Sequence, residues 1–125
     1  MIHTYKDLIV WQRAMELVVE VYKLTENYPR EELYGLTSQT KRSAVSIPSN
    51  IAEGRFRGTK RDFVQFLRIA YASGAELETQ IEIARRLFKE NSLNYSKIDS
   101  LLLEVMKMLN KMIRNLNPNE AKEAD

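Results

Sequence analysis

The segment GRFRGTKR, Gly54 to Arg61, sets four cations around one aromatic residue in eight positions. Arginine and lysine at this density suit phosphate oxygens, and the phenylalanine between them can stack on a base or pack against the fold. Arg55, Arg57, Lys60 and Arg61 are therefore candidate nucleic-acid contacts. Lys41 and Arg42 extend the basic stretch upstream, and between Lys41 and Arg61 the six cations meet one acid, Glu53. The nearby N-terminus of a helix expected from about Thr59 would add free N–H groups and partial positive charge. The competing reading is a solvated loop with Phe56 tucked into the end of the fold.

Other chemistries are poorly served. Glu76, Glu78 and Glu82 form an acidic stretch, and Glu78 and Glu82 share a face at i,i+4 spacing. Carboxylate metal sites in helical bundles also draw on histidines from facing helices. The single histidine is His3, in a terminus expected to be loose. Solvated carboxylates, or carboxylates paired with a neighbouring subunit's arginines, are the expected outcome. No core histidine stands ready to activate a serine, and there is no cysteine to act as nucleophile, thiolate ligand or disulfide partner. We expect no catalytic, metal or cofactor site. Pro48, Ser49, Asn50 and Glu53 make a second unusual patch. Their expected role is structural: a helix bent at Pro48, with Ser49 or Asn50 re-capping its second half.

The elements that must position these residues are helices. The first segment, about 7–27, carries Leu8, Trp11, Met15, Val18 and Tyr22 at alternating steps of three and four. Val10, Leu17, Val21 and Leu24 widen its apolar face, and Asp7 is the expected N-cap. The second, about 32–54, sets Leu33, Leu36, Thr40, Ala44, Ile47 and Ile51 at helical spacing. It is rich in small residues, should kink or split near Pro48, and should stop at Gly54. The third, about 59–90, repeats Phe63, Leu67, Ala70, Gly74, Leu77, Ile81, Ala84 and Phe88 as an unbroken seam, capped by Thr59. Gly74 in its middle implies a close neighbour, since glycine there costs about 1 kcal/mol against alanine. The fourth, about 96–116, repeats Ile98, Leu102, Val105, Leu109, Met112 and Leu116. A polar tail, 117–125, follows.

Links at about 28–31, 55–58 and 91–95 are too short for long crossovers. The expected fold is one all-α domain, an antiparallel up-down-up-down four-helix bundle. A chain of 125 residues suffices for one such core. Its 44% apolar and 29% charged residues argue against disorder. The longest wholly apolar run, Leu8 to Trp11, cannot span a membrane, and Met1 to Asp7 lacks a signal peptide's apolar core. With no cysteine, this fits a cytoplasmic setting. The net charge of +2 is too small to announce a nucleic-acid binder by itself, so the local cluster carries that reading.

DLIVWQRA (Asp7 to Ala14), YGLTSQTKRSAVSIPSNIAEG (Tyr34 to Gly54) and FLRIAYASGAELETQIEIA (Phe66 to Ala84) resemble the bacterial four-helix-bundle proteins encoded in intervening sequences of large-subunit (23S) ribosomal RNA genes. The resemblance runs from about Tyr5 to Leu116, and IPSNIAEG, Ile47 to Gly54, is its most specific part. It implies a four-helix bundle assembled as a ring-shaped homopentamer with a central opening. It also implies association with RNA, suggested by gene location. The accessory protein of diversity-generating retroelements, similar in fold, binds a reverse transcriptase and nucleic acid, which makes a nucleic-acid enzyme a second candidate partner. Surplus apolar surface on the first helix and small residues on the second also favour a homo-oligomer. The leading expectation is a non-enzymatic binding or scaffold protein that contacts RNA through the basic segment. The alternative is a ring-forming protein-interaction module without nucleic acid.

Overall fold

The computed structural model describes residues 4–117. Among these residues there are four α-helices and no strand: α1 (Ile9–Thr25), α2 (Leu36–Phe56), α3 (Lys60–Leu87) and α4 (Ser96–Leu116). Short 3-10 turns at Tyr5–Asp7, Arg30–Glu32 and Lys89–Asn91 precede α1, precede α2 and follow α3. His3 and the tail beyond Asn117 lie outside the described residues, so the expectations placed on them stand apart.

The helices close a cycle in which α1 touches α2 and α4, and α3 touches α2 and α4. Ser46 meets Ser73 while Gly54 meets Phe63 and Phe66, so α3 runs back along α2. Arg85 meets Asp99 while Gly74 meets Met106, and Arg13 meets Glu104 while Glu20 meets Lys97. Thus α4 runs back along both α3 and α1. The core between them holds Leu17, Ile47, Ile51, Leu67, Leu77, Ile81 and Leu109, each essentially inaccessible.

Apolar spacing predicts the buried stripes of α3 and α4 well. Every α3 seam residue from Phe63 to Ala84 is buried, as are Ile98, Leu102, Val105 and Leu109. In α1 the faces are exchanged. Val10, Ala14, Leu17, Val21 and Leu24 form the core stripe, while Met15 and Tyr22 are exposed and Trp11 and Val18 half-buried. Two apolar stripes satisfied the same periodicity, and only the neighbours decide between them.

The termini also shift. Asp7 does not cap α1. It closes a capping box with Thr4 around the 3-10 turn, and Leu8 occupies the N-cap position. Thr59 caps α3 as expected, accepting from the Asp62 amide at 3.1 Å. The N-cap of α4, Tyr95, makes no side-chain cap bond, and Asn94 Oδ1 just before it accepts from the Ser96 amide.

The second helix departs most from expectation. It is continuous through the buried Pro48 rather than split in two. Asn50 does not re-cap anything, because its Nδ2 donates to the Ser46 carbonyl at 2.8 Å and to the Ser46 hydroxyl at 2.9 Å. Ser46 and Ser73 then join α2 to α3 through a 2.8 Å hydroxyl pair. Gly54 does not end the helix either. It is buried two residues before the end, where a Cβ would lie 2.6 Å from the Cβ of Phe66. The glycine that follows the helix is Gly58, at φ +85° with open space around it.

Candidate nucleic-acid interface

The basic segment is not a loop. Arg55 and Phe56 occupy the last turn of α2, Arg57 is its C-cap, Gly58 and Thr59 make the turn, and Lys60 and Arg61 begin α3. Helix geometry therefore gathers Arg55, Arg57, Lys60 and Arg61 at one pole of the bundle, all exposed. Two of them are braced by aromatic rings of α3. The Arg55 guanidinium lies 5.8 Å from the centre of the Phe63 ring, and that of Arg57 lies 4.8 Å from the centre of the Phe66 ring. Arg57 also pairs with Glu53 at 2.9 Å, an exposed i,i+4 ion pair. The start of α3 points its free N–H groups toward the same pole.

Lys41 and Arg42 do not join this group. They lie 14 and 13 residues before Arg55 on the same helix, about 20 Å along its axis. Lys41 sits over the Tyr22 ring of α1 at 4.7 Å from its centre. Arg42 opens onto the α1–α2 groove beside Val45 and Tyr34.

The chain's start supplies residues that the spacing of the basic segment does not reveal. Thr4, Tyr5 and Lys6 line a cleft of about 590 Å³ together with Arg55, Phe56 and Gly58. Tyr5 is held edge-on against Trp11, with ring centres 5.4 Å apart. The Lys6 carbonyl accepts from Gln12 Nε2 at 2.9 Å, which fixes the turn on α1. The readable signal was the T-x-x-D pattern from Thr4 to Asp7, a capping box that orders this stretch. Phe56 is 85% exposed, so it does not tuck into the bundle end.

The opposite pole is built differently. Glu82 bonds Arg85 and Arg86 of its own helix, and Arg85 continues to Asp99 at 2.8 Å. Glu82 of the acidic stretch thus finds its cationic partners within the chain. A hydrogen bond from Arg86 holds the Glu82 carboxyl below the usual carboxylate range, with Arg85 adding to it. Among the described residues no three of His, Cys, Asp and Glu gather as a metal site.

Below this network lie the buried rings of Tyr28 and Tyr95, with Arg85 stacked on the latter at 4.7 Å. Both hydroxyls are buried without a hydrogen-bond partner. Burial raises the Tyr28 hydroxyl above the ordinary phenol range, Tyr95 adds to that, and Arg85 opposes it. Burial raises Tyr95 as well, again opposed by Arg85. A raised folded-state value means that the stabilisation is fully present below the unfolded phenol value near 10 and is lost as pH climbs from there toward the folded value. Wild-type melting temperature should therefore fall between about pH 9.5 and 11. Tyr28→Phe should flatten that fall while leaving stability at pH 7 unchanged or slightly higher, since it removes a buried hydroxyl that lacks a partner. Parallel melting curves for the two proteins across this range would count against the assignment.

The model of the family described as 23S rRNA-intervening sequence protein matches residues 6–111. A protein of unknown function from the S23 ribosomal protein family of Bacteroides thetaiotaomicron VPI-5482, known from its crystal structure, is similar, at 26% sequence identity and a TM-score of 0.74. The similarity covers 85% of this chain and 99% of that one. No curated protein matches the chain significantly.

Proposed function

The chain belongs to the family of 23S rRNA-intervening sequence proteins, and from that premise we propose that it is a non-enzymatic, self-assembling scaffold of the cytoplasm that associates with RNA. The observation that carries the RNA reading is the gathering of Arg55, Arg57, Lys60 and Arg61, with Lys6 beside them, at one pole of the bundle. Cations so placed attract a polyanion without reading its sequence. The non-enzymatic reading rests on an inventory with no cysteine and a single histidine at the chain start. Among the described residues no helix is long and apolar enough to cross a membrane.

Self-assembly is supported by apolar surface along the α1–α2 groove. Tyr22, Leu33, Tyr34 and Val45 are substantially exposed there, and Met15 and Val19, also exposed, continue the Tyr22 face of α1 at helical spacing. A patch of that kind on a folded domain marks an interaction surface. The resemblance to family members makes a homopentameric ring the proposed assembly. The same patch favours a second reading, a ring-forming protein-interaction module that needs no nucleic acid. A reverse transcriptase or another nucleic-acid enzyme remains the alternative partner by fold-level analogy.

Light scattering of the full chain with and without a single-stranded RNA, combined with affinity measured across salt, tests these readings together. The RNA reading expects binding at low salt whose logarithm falls with the logarithm of salt at a slope of about −3, from about four phosphate contacts at 0.7 each. No measurable affinity at 50 mM salt sinks it in favour of the protein-interaction module. A monomeric mass without RNA sinks the assembly.

A further inference from the structure

Phe56 is the outlier among the aromatic residues of this pole. Phe63 is buried and Phe66 half-buried, yet the Phe56 ring stands 85% exposed on an ordered last turn of α2. Leaving a ring in water forgoes burial worth about 2 kcal/mol. The ring also borders a cleft whose charged lining residues are both cationic, Lys6 and Arg55, with Thr4, Tyr5 and Gly58 completing the wall. An apolar peptide would gain little from such a rim, whereas a molecule that joins a flat aromatic face to negative charge fits both parts. The volume of about 590 Å³ lies in the range of small-ligand pockets, roughly 300–1,000 Å³.

We propose that this cleft receives an unstacked nucleobase against Phe56 while Lys6 and Arg55 hold the flanking phosphates, which makes single-stranded nucleic acid, not duplex, the substrate class of the basic pole. The inference rests on the nucleic-acid reading above and narrows it. In a duplex the bases are stacked on one another and present no open face, so a protruding ring gains nothing from them. In a single strand each base offers a π-face, and stacking on an aromatic side chain is largely indifferent to sequence. Gly58 suits the position because its positive φ turns the chain sharply beside the ring and leaves open space there.

The test uses the full chain, an oligouridine 15-mer and a 15-base-pair RNA duplex, both end-labelled, at 50 mM salt. Wild type should bind the single strand at least ten-fold more tightly than the duplex. Phe56→Ala should weaken single-strand binding by about 5- to 150-fold with an unchanged salt slope, and Phe56→Tyr should restore it. Trp11, the sole tryptophan, packs on Tyr5 at the cleft wall, so its emission should respond to the single strand in wild type. Equal affinity for both RNAs together with indifference to Phe56→Ala overturns the base-binding cleft and leaves the polyanion reading standing. Absence of binding to either RNA overturns both. Loss of both affinities in Phe56→Ala with a changed mass by light scattering makes Phe56 a subunit contact and likewise overturns the cleft.

Discussion

Gly54→Ala should melt about 8 °C below wild type, whereas Gly74→Ala should stay within about 3 °C of it, at roughly 4 °C per kcal/mol for a chain of this length. Both glycines sit inside helices and both are buried, so helix propensity alone would make each substitution stabilising by about 1 kcal/mol. What separates them is the atom that a new methyl group meets. At Gly54 it meets the Cβ of Phe66 at 2.6 Å and the ring and Cα of Phe63 at 3.3 and 3.4 Å. Those atoms are tied to the α3 backbone, so relief requires α2 and α3 to separate. Overpacking of that kind costs about 3 kcal/mol, which exceeds the propensity gain by about 2. At Gly74 the obstacle is the Met106 thioether of α4, an unbranched chain that can swing away. Thermal melts of the two variants by circular dichroism decide the matter, and equal melting temperatures would show that the α2–α3 approach is not rigid.

The same contrast explains which parts of the fold were legible beforehand. The long seams of α3 and α4 each contain one apolar stripe, so periodicity and burial coincide. In α1 two stripes compete, and the choice between Val10–Leu17–Val21 and Trp11–Met15–Tyr22 depends on where α2 and α4 lie. Gly54 misled because the two reasons for a helical glycine, a C-terminal stop and a close approach, look alike in sequence. Here the close approach applies, and the stop is Gly58. It also accounts for the end of IPSNIAEG. Ile47 and Ile51 fill the core, Asn50 serves the Ser46 carbonyl, Glu53 pairs with Arg57, and Gly54 admits α3.

The candidate site was legible in composition but not in shape. Cation density marked Arg55, Arg57, Lys60 and Arg61, and short range in sequence meant short range in space. Lys41 and Arg42 were grouped with them by counting along the chain, yet a helix converts that interval into about 20 Å. Lys6 was missed for the opposite reason. It is remote in sequence and arrives through the packing of the first turn on α1.

That difference in position predicts the largest change in binding. A variant with Arg55, Arg57, Lys60 and Arg61 all replaced by Ala should lose up to about three and a half decades of RNA affinity at 50 mM salt, and its salt slope should fall by nearly 3. The two lines converge near 1 M, because the lost contribution is the release of condensed counterions and vanishes where bulk salt equals the standard state. Replacing Lys41 and Arg42 instead should change the slope by less than one contact's worth. They stand about two Debye lengths from the pole at 0.1 M salt, where their field is largely screened. Arg55 and Arg57 also brace Phe63 and Phe66, so part of the fourfold effect could come from a loosened pole. Lys60→Ala with Arg61→Ala removes two exposed first-turn cations without touching those rings. It should deliver about half of the slope change at an unaltered melting temperature. If the Lys41 and Arg42 variant loses as much slope as the fourfold one, binding follows overall charge and the pole has no special standing.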